Sequence, residues 1–194
     1  MDHMTTPVAA LLLAAGSGTR MGRPKALVRT PDGTPWVQRS VEALKTGGCD
    51  PVLVAVGAEA DTVTALLTDE IVVAVADWAD GMGASLRAGL AAASGLSTNR
   101  LVVSLVDLPD VGPEVVARLV ADGGDSRAAL ARAAYGGVPG HPVLIGREHW
   151  AGVADGATGD QGARNYFRRH QPVLVECGDL ATGRDIDYEG DLPT

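Results

Sequence analysis

Apolar and amphipathic segments alternate along the first 120 residues of this chain. Short runs rich in Val, Leu and Ala have the length and composition of buried parallel strands, and they cover residues 8–13, 51–56, 71–75 and 101–106. The segments between them carry apolar side chains at helical spacing, which predicts helices over residues 35–46, 61–67, 85–90 and 113–120. This alternation predicts an α/β fold: a Rossmann-like, doubly wound, mostly parallel sheet flanked by helices.

The pattern is less regular in the second half of the chain. Three strands are predicted there, over residues 128–134, 141–145 and 172–177. Two helices are predicted over residues 147–153 and 163–170. Glycine-rich turns at 136–140 and 156–162 separate them, and a short extended piece is predicted earlier, at 26–28. No internal repeat is visible. Residues 4–194 are therefore predicted to form a single domain, and residues 1–3 look like a cloning remnant.

Composition supports one globular domain with a full core. The chain has 194 residues, of which 46% are hydrophobic. No apolar run approaches the roughly 20 residues that a membrane helix needs, and no basic stretch followed by a long apolar core marks a signal peptide. Cys49 and Cys177 lie far apart and outside any metal-ligand spacing. We therefore expect a cytoplasmic protein with reduced, structural cysteines and no membrane partner.

The net charge of −8 argues against a nucleic-acid partner. An acidic chain repels a phosphate backbone unless it has a basic patch, and no cluster of Lys and Arg is visible. Any anion that this protein binds is therefore predicted to be small and to be held by a local site.

A glycine-rich loop after the first strand is the best candidate for that site. Residues 14–25 read AAGSGTRMGRPK. Gly16 and Gly18 allow a sharp turn and a close approach of the backbone to a ligand, and successive N–H groups in such a turn form an anion-binding nest. Ser17 and Thr19 add hydroxyl groups, and the loop also holds two cations, Arg20 and Lys25. The sequence therefore predicts a polyphosphate site.

The spacing excludes two common phosphate motifs. The dinucleotide fingerprint G-x-G-x-x-G fails because Gly16, Gly18 and Gly22 leave one residue too many. The hydrolase loop G-x-x-x-x-G-K-[ST] fails because Arg23 follows Gly22. A nicotinamide-dependent oxidoreductase is further disfavoured because the second strand ends at Val56 without an acidic residue after it.

Acidic residues predict a Mg²⁺ site near this loop. Asp107 directly follows the apolar run 101–106, at the sheet edge where ligands bind in open α/β folds. Magnesium prefers oxygen ligands and often takes only one or two carboxylates. Asp110 is a weaker candidate. Asp185 and Asp187 would point the same way in an extended segment, so either could supply a second ligand.

Two further positions are candidate ligand contacts. Ser85 is predicted near the start of a helix that follows a second glycine-rich loop, where backbone donors favour an anion or a polar ligand edge. His141 stands between Gly140 and Pro142 at the start of a strand, which is compatible with either a substrate contact or a structural role. No spacing in the sequence supports a catalytic Ser-His-Asp or Cys-His set.

The order of the motifs resembles the molybdenum cofactor cytidylyltransferases and their nucleotidyltransferase relatives. The loop A-A-G-x-G-x-R-M-G-x-x-K is similar to the signature of the superfamily. The resemblance extends from Leu13 to Leu192 through five later motifs, GMGASLRAGL, SLVDLPD, GHPVLIGR, GDQGAR and DID. The last of these continues as DIDYEGDL where the family usually has DIDTPEDL.

The resemblance implies a Mg²⁺-dependent transfer of a nucleoside monophosphate and a set of site residues. By analogy, Gly16, Ser17, Gly18, Arg20 and Lys25 would hold the triphosphate, and Gly81 and Ser85 would lie near the base and ribose. Asp107 would hold Mg²⁺, perhaps with Asp187, while His141 and Asp160 would face the acceptor. Ala14 and Ala15 resemble the cytidylyl type of base recognition.

The hypothesis is therefore transfer of CMP from CTP to the phosphate of a molybdopterin-type cofactor, with release of pyrophosphate. Arg20, Lys25 and Asp107 would be catalytic, and a molybdoenzyme would be a possible client. One alternative is a nucleotidyltransferase that uses GTP or another phosphorylated acceptor. An alternative from another class is a non-catalytic chaperone that holds the cofactor for a molybdoenzyme.

Overall fold

A computed structural model describes residues 7–188 and residue 190 of the chain. Within this part, the strands form one sheet in the order β3-β2-β1-β4-β6-β5-β7. The strands are β1 (Val8–Leu13), β2 (Cys49–Val56), β3 (Ile71–Ala74), β4 (Arg100–Leu105), β5 (Leu130–Tyr135), β6 (Val138–Gly146) and β7 (Val173–Glu176). The predicted α/β architecture is confirmed.

Helices cover both faces of the sheet. The α-helices are α1 (Trp36–Thr46), α2 (Ala60–Thr64), α3 (Met82–Ser94), α4 (Pro113–Asp122), α5 (Trp150–Gly156) and α6 (Arg164–His170). Short 3-10 helices cover Lys25–Leu27, Trp78–Asp80, Arg147–His149 and Gly159–Gln161. None of the helices in the described part is long and apolar enough to cross a membrane.

The order of the strands creates a switch point beside β1. The chain builds β1, β2 and β3 outward in one direction and then returns to place β4 on the other side of β1, all in parallel. Ligands of open α/β sheets bind outside the carboxyl ends of the strands at such a point. The loops that follow β1 and β4 meet there, and these loops carry the glycine-rich stretch and Asp107.

Beyond β4 the sheet is mixed. Strand β6 runs antiparallel to both of its neighbours, β4 and β5, while β7 pairs in parallel with β5. The prediction of a mostly parallel sheet is confirmed, and β6 is the exception to it. Because β6 runs antiparallel to β4, its start at 138–141 lies near the sheet edge at which β4 ends.

The core has two layers, and successive residues of β1 enter different layers. Ala10 and Leu12 pack in the layer that contains Trp36 and Leu119, whereas Leu11 packs in the layer that contains α3. Gly89 of α3 is required there, because a Cβ at this position would lie 2.2 Å from a methyl carbon of Leu11. This close packing sets the position of α3 relative to the loop after β1.

Two predictions of local structure are wrong. Residues 26–28 are not an extended segment. A 3-10 turn covers Lys25–Leu27 instead, and the Val28 N–H donates a hydrogen bond to the Lys25 carbonyl at its end. The turn predicted over 136–140 is only two residues long, at Gly136 and Gly137, which have φ of +61° and +79°. Both of their N–H groups donate to Glu176, so β6 begins three residues earlier than predicted.

The proposed cloning remnant, residues 1–3, lies outside the described residues, as do positions 189, 191 and 192 of the C-terminal motif. The domain boundary at residue 4 therefore stays a prediction.

Candidate active site

The glycine-rich loop begins at the carboxyl end of β1. Bonds between the backbones of β1 and β2 continue past the strand ends, from the Ala14 N–H to the Ala55 carbonyl and from the Ala58 N–H to the Ala15 carbonyl. The loop then turns at Gly18, which has φ of +61° and whose Cβ would lie 1.9 Å from the Arg23 carbonyl oxygen. Only glycine fits at this position. A Cβ at Gly16, by contrast, would meet nothing within 4 Å, which leaves space for a ligand.

The first cavity lies between this loop and the start of α3 and has a volume of about 350 Å³. Many of the residues that the sequence predicts for a nucleotide and metal site line it: Ala15, Gly16, Ser17, Gly18, Lys25, Gly81, Ser85 and Asp107. Asp160, which is predicted to face the acceptor, lines it as well. Two predicted positions do not. Ala14 is buried in the core beneath the loop, and Arg20 lies outside the lining with 64% of its side chain exposed.

Lys25 is the electrostatic centre of the first cavity. Its ammonium Nζ lies 2.7 Å from Oδ2 of Asp107 and 2.6 Å from Oδ1 of Asp187, although Asp187 is 162 positions away along the chain. Only 16% of the lysine side chain is exposed. Burial disfavours its charge, but the hydrogen bonds to the two carboxylates outweigh this effect and raise the pKa of Lys25. The lysine is therefore a firmly held cation.

The two carboxylates that contact Lys25 differ in their electrostatics. Burial raises the pKa of Asp107, because its hydrogen bond to Lys25 offsets only part of the cost of removing the charge from water. The hydrogen bond from Lys25, with a further contribution from Arg20, lowers the pKa of Asp187. Arg20 Nη1 donates to Asp187 Oδ2 at 3.0 Å. Asp107 is thus the buried ligand candidate and Asp187 the more accessible one.

Three carboxylates converge at this point. Oxygen atoms of Asp107, Asp185 and Asp187 all lie within 4.8 Å of one another. A bond from the Ile186 N–H to the Asp107 carbonyl, at 3.0 Å, holds the C-terminal segment against the loop after β4. Within the described residues, Oδ1 of Asp107 is buried without a hydrogen-bond partner. An unpaired carboxylate oxygen within a cluster of oxygen donors fits a hard divalent cation such as Mg²⁺.

Asp110, the weaker candidate, is used differently. Its Oδ2 accepts hydrogen bonds from the N–H and the hydroxyl of Thr182, at 2.6 and 2.5 Å. The residue thereby anchors the segment that carries Asp185 and Asp187 rather than joining them.

The start of α3 closes the first cavity. Gly81 precedes the helix with φ of +103°, and a Cβ there would lie 2.6 Å from Oδ1 of Asp160. The 3-10 turn Gly159–Gln161 therefore packs directly on the helix start, which places Asp160 in the wall. Ser85, in the first turn of α3, is a buried polar residue that faces the cavity. Trp78 lines the same cavity.

A second cavity adjoins the first, and its volume is also about 350 Å³. The two cavities share a wall formed by Leu13, Met82, Leu105 and Asp160. His141 lines the second cavity. Burial, with a contribution from the nearby charge of Arg132, lowers the pKa of His141 to about 4. The imidazole is therefore neutral at physiological pH, and it can donate or accept one hydrogen bond at each nitrogen.

Sequence reasoning missed three side chains of these cavities. Trp78 stands in a glycine-rich loop between two acidic residues, and an aromatic residue in such a loop was a signal that could have been used. Arg132 interrupts the alanine-rich strand ALARAAY, which is an equally readable signal. Arg164, at the start of α6, ends the motif GDQGAR, and its place in that motif was a signal that could have been used.

Comparison with known proteins identifies the family. The family model of the MobA-like NTP transferase domain matches residues 10–173 of this chain. The chain belongs to this family, and the assignment to the nucleotidyltransferase superfamily that was made from the sequence is confirmed.

Individual relatives agree in fold but differ in name. The chain is 38% identical over 193 residues to a nicotine blue oxidoreductase of Paenarthrobacter nicotinovorans, covering 93% of this chain and 92% of that protein. A nucleotidyl transferase from Methanothermobacter thermautotroptrophicus superimposes with a TM-score of 0.79 at 22% identity, covering 95% and 94% of the two chains. Rv0371c from Mycobacterium tuberculosis, in complex with manganese, has a TM-score of 0.75 at 25% identity and covers 96% and 98%.

Proposed function

We propose that this member of the MobA-like NTP transferase family transfers a nucleoside monophosphate, CMP from CTP, to the phosphate of a molybdopterin-type acceptor. The observation that carries the proposal is the contact of Lys25 with Asp107 and Asp187 at the mouth of the glycine-rich loop. This arrangement combines a fixed cation, an anion-binding backbone and a cluster of metal-binding oxygens in one cavity. These are the groups that phosphoryl transfer needs.

The reaction is a direct displacement. An oxygen of the acceptor phosphate attacks the α-phosphorus of the nucleotide and forms a new P–O bond. The bond from that phosphorus to the oxygen that bridges to the β-phosphorus breaks, and pyrophosphate leaves with the electron pair. No protein nucleophile is required, so positioning and charge neutralisation carry the catalysis.

The residues of the first cavity take defined roles in this scheme. The backbone of Gly16, Ser17 and Gly18 holds the triphosphate, and Lys25 stabilises the charge that develops on the leaving pyrophosphate. Arg20, exposed beside the loop, would turn from Asp187 toward the phosphates. Gly81 and Ser85 lie at the α3 end of the cavity, where the ribose and base would fit.

Asp107 and Asp187, with Asp185 adjacent, would hold Mg²⁺. The bound cation supplies positive charge to the phosphate oxygens and lowers the repulsion between the nucleotide and an anionic acceptor. The manganese complex of the related Mycobacterium tuberculosis protein is consistent with a divalent cation in this fold. Since Lys25 already contacts both carboxylates, its ammonium must give up part of that contact when the cation and the nucleotide bind.

The preference for CTP and for a pterin acceptor rests on the resemblance of the motifs. Ala14 and Ala15 correspond to the cytidylyl type, and His141 and Asp160 line the cavity that the acceptor would enter. A molybdoenzyme that receives the product would be the client.

Nucleotide-dependent thermal stabilisation tests the proposal. CTP, GTP, ATP, UTP and NAD are each added with and without Mg²⁺. A ligand at about 100 times its dissociation constant adds about 2.7 kcal/mol, which corresponds to several degrees in a domain of this size. We expect a Mg²⁺-dependent shift that is largest for CTP, followed by pyrophosphate release when the pterin acceptor is added. A shift with GTP alone would still support nucleotidyl transfer but would contradict the preference for CTP.

The name of one relative supports a second candidate function, an oxidation or reduction of nicotine blue. The relative called nicotine blue oxidoreductase matches 93% of this chain. Such a reaction needs a hydride donor, and the loop departs from the dinucleotide fingerprint by one residue. Oxidation of NADH or NADPH that depends on nicotine blue, without a stabilising shift by any NTP, would favour this candidate. Pterin binding without pyrophosphate release would favour the chaperone alternative.

A further inference from the structure

The second cavity is lined by two arginines that form no ion pair with a carboxylate of the described residues. Arg132 projects from β5 and Arg164 from the start of α6, and both line the cavity. Within residues 7–188 and 190, neither forms an ion pair with a carboxylate. Other arginines of this chain do, for example Arg20 with Asp187 and Arg118 with Asp179.

The Arg132 side chain is held in position by its surroundings. Its Nε and Nη2 donate to the Gly140 carbonyl at 3.2 and 3.0 Å, and the guanidinium carbon lies 5.5 Å from the centre of the Phe167 ring. Its Nη1 has no hydrogen-bond partner in the described part of the chain. Burial, together with the charge of Arg164, lowers the pKa of Arg132, yet a guanidinium stays protonated in proteins. The cavity therefore has a fixed positive charge with free donor capacity.

The repulsion between these arginines indicates what the cavity binds. Two cations that face one cavity repel each other, and Asp160 and Asp185 of the same lining form no ion pair with either of them, so an anion that bridges the arginines lowers the free energy. Guanidinium groups match the planar oxygens of carboxylates and phosphates with paired hydrogen bonds. The neutral ring of His141, whose nitrogens have no partner within the described residues, offers a further hydrogen bond at the same wall.

The rest of the cavity is largely apolar. Leu86, Val103 and Val143, together with Phe167, provide surface that a hydrated inorganic ion would leave uncovered. The acidic members are Asp160, in the wall shared with the first cavity, and Asp185, which belongs to the proposed metal cluster. The cavity therefore combines an anion-binding side with an apolar side.

We propose that the second cavity binds an organic anion whose phosphate or carboxylate group is held between Arg132 and Arg164 and whose apolar part packs on Leu86, Val103 and Phe167. The inference deepens the proposed function and rests on it in one respect, since this anion would be the acceptor. The wall shared by the cavities places it next to the nucleotide.

Titration with two small aryl anions tests the site. Phenyl phosphate and benzoate are titrated at low salt and followed by protein NMR, with benzamide as the neutral counterpart of benzoate. We expect Arg132→Met and Arg164→Met each to weaken anion binding about tenfold, and Arg132→Lys to weaken it less. Arg168→Met is the matched control, because Arg168 lies exposed on the same helix and outside this cavity, and it should bind like the wild type.

Comparing phenyl phosphate with benzoate identifies the anionic group that the cavity prefers. Tighter binding of phenyl phosphate indicates a phosphorylated ligand, and tighter binding of benzoate a carboxylic acid. The proposal is overturned if both anions bind the two methionine variants within twofold of wild type, or if benzamide binds as well as both anions. Since Arg164 is exposed and without bonds to the described fold, Arg164→Met decides the matter if Arg132→Met does not fold.

Failure of this inference is distinguishable from failure of the proposed function. Nucleotide-dependent stabilisation reports on the first cavity alone. A protein that binds Mg²⁺ and CTP but neither aryl anion keeps the proposed reaction and loses the anion site. A protein that binds the anions through Arg132 and Arg164 but no NTP keeps the anion site and loses the reaction.

Discussion

The two adjoining cavities are built in different ways. The first is formed largely by continuous stretches of sequence at the switch point of the parallel sheet, the glycine-rich loop and the start of α3. The second is assembled from single side chains that lie on β4, β5, β6, α3 and α6 and on the C-terminal segment. In the first cavity Lys25 is paired with Asp107, whereas in the second neither Arg132 nor Arg164 forms an ion pair with a carboxylate of the described residues.

Because of this difference, the two cavities can change separately. A triphosphate is the same in every NTP, so a backbone nest and one cation would serve any acceptor in the proposed reaction. The second cavity is lined by side chains on separate elements, each of which can change without disturbing the glycine-rich loop.

The largest effect is expected from Lys25→Met, which removes the ammonium group of the first cavity. Loss of the cation should reduce the rate of pyrophosphate release at least about 100-fold, since a positioned charge in a transition state contributes that much. Pyrophosphate release is measured with saturating CTP and acceptor. Lys45→Met is the matched control, because Lys45 also pairs with two carboxylates, Asp69 and Glu70, but lies outside both cavities. Near-normal turnover of a stable Lys25→Met protein would refute the role of Lys25.

Asp107→Asn should remove most of the Mg²⁺-dependent part of nucleotide binding. The amide keeps the size of the side chain but replaces the unpaired carboxylate oxygen with a weaker ligand or with a donor. We expect the stabilisation by Mg²⁺ with CTP to fall to the value for CTP alone, as measured by thermal unfolding and by Mn²⁺ binding in electron paramagnetic resonance. Asp69→Asn serves as control, since Asp69 also accepts a hydrogen bond from a lysine, Lys45, but lies outside both cavities, and it should keep the Mg²⁺ effect.

Gly81→Ala tests the wall between the cavities. The new methyl group would lie 2.6 Å from Asp160 Oδ1 and 2.7 Å from the Gly159 carbonyl carbon, on a backbone with φ of +103°. We expect a loss of about 2 kcal/mol in the free energy of unfolding, together with weaker binding of nucleotide. Gly33→Ala isolates the backbone contribution, because Gly33 has φ of +88° but a methyl group added there would meet nothing within 4 Å. Equal losses in both variants would show that Asp160 does not pack on the helix start.

The second cavity makes a pH-dependent contribution to stability through His141. His141 has a pKa near 4 in the folded protein against about 6.5 when unfolded, so the unfolded state binds more protons between these values. The free energy of unfolding should therefore fall as the pH is lowered from 6.5 to 4, by up to about 1.4 kcal/mol per pH unit from this residue. His141→Gln should make the free energy of unfolding less dependent on pH between 4 and 6.5. Denaturant unfolding at pH 4.5, 5.5 and 7.5 measures it, and parallel curves for the two proteins would contradict the burial of the ring.

The parallel part of the fold could be predicted because its signals are local. Runs such as 8–13 and 101–106 are apolar on both faces, which only strands buried between helices require, and glycines mark the loop because a positive φ excludes other residues. The antiparallel direction of β6 could not be predicted in this way. The short run 141–145 has the same composition as a parallel strand, and the two-residue turn at Gly136 and Gly137 that reverses the chain depends on Glu176 from another strand.

The same distinction holds for the candidate site. The sequence by itself determined the glycine-rich loop after β1, the position of Asp107 just after β4 and the superfamily, because each depends on residues that are neighbours in the chain. Only the tertiary structure decided that Asp187 meets Lys25, that Asp160 closes the wall at Gly81, and that Arg132 and Arg164 face one cavity. These contacts join residues that are far apart in sequence. Packing of the core brings them together, and that packing cannot be predicted from a local sequence pattern.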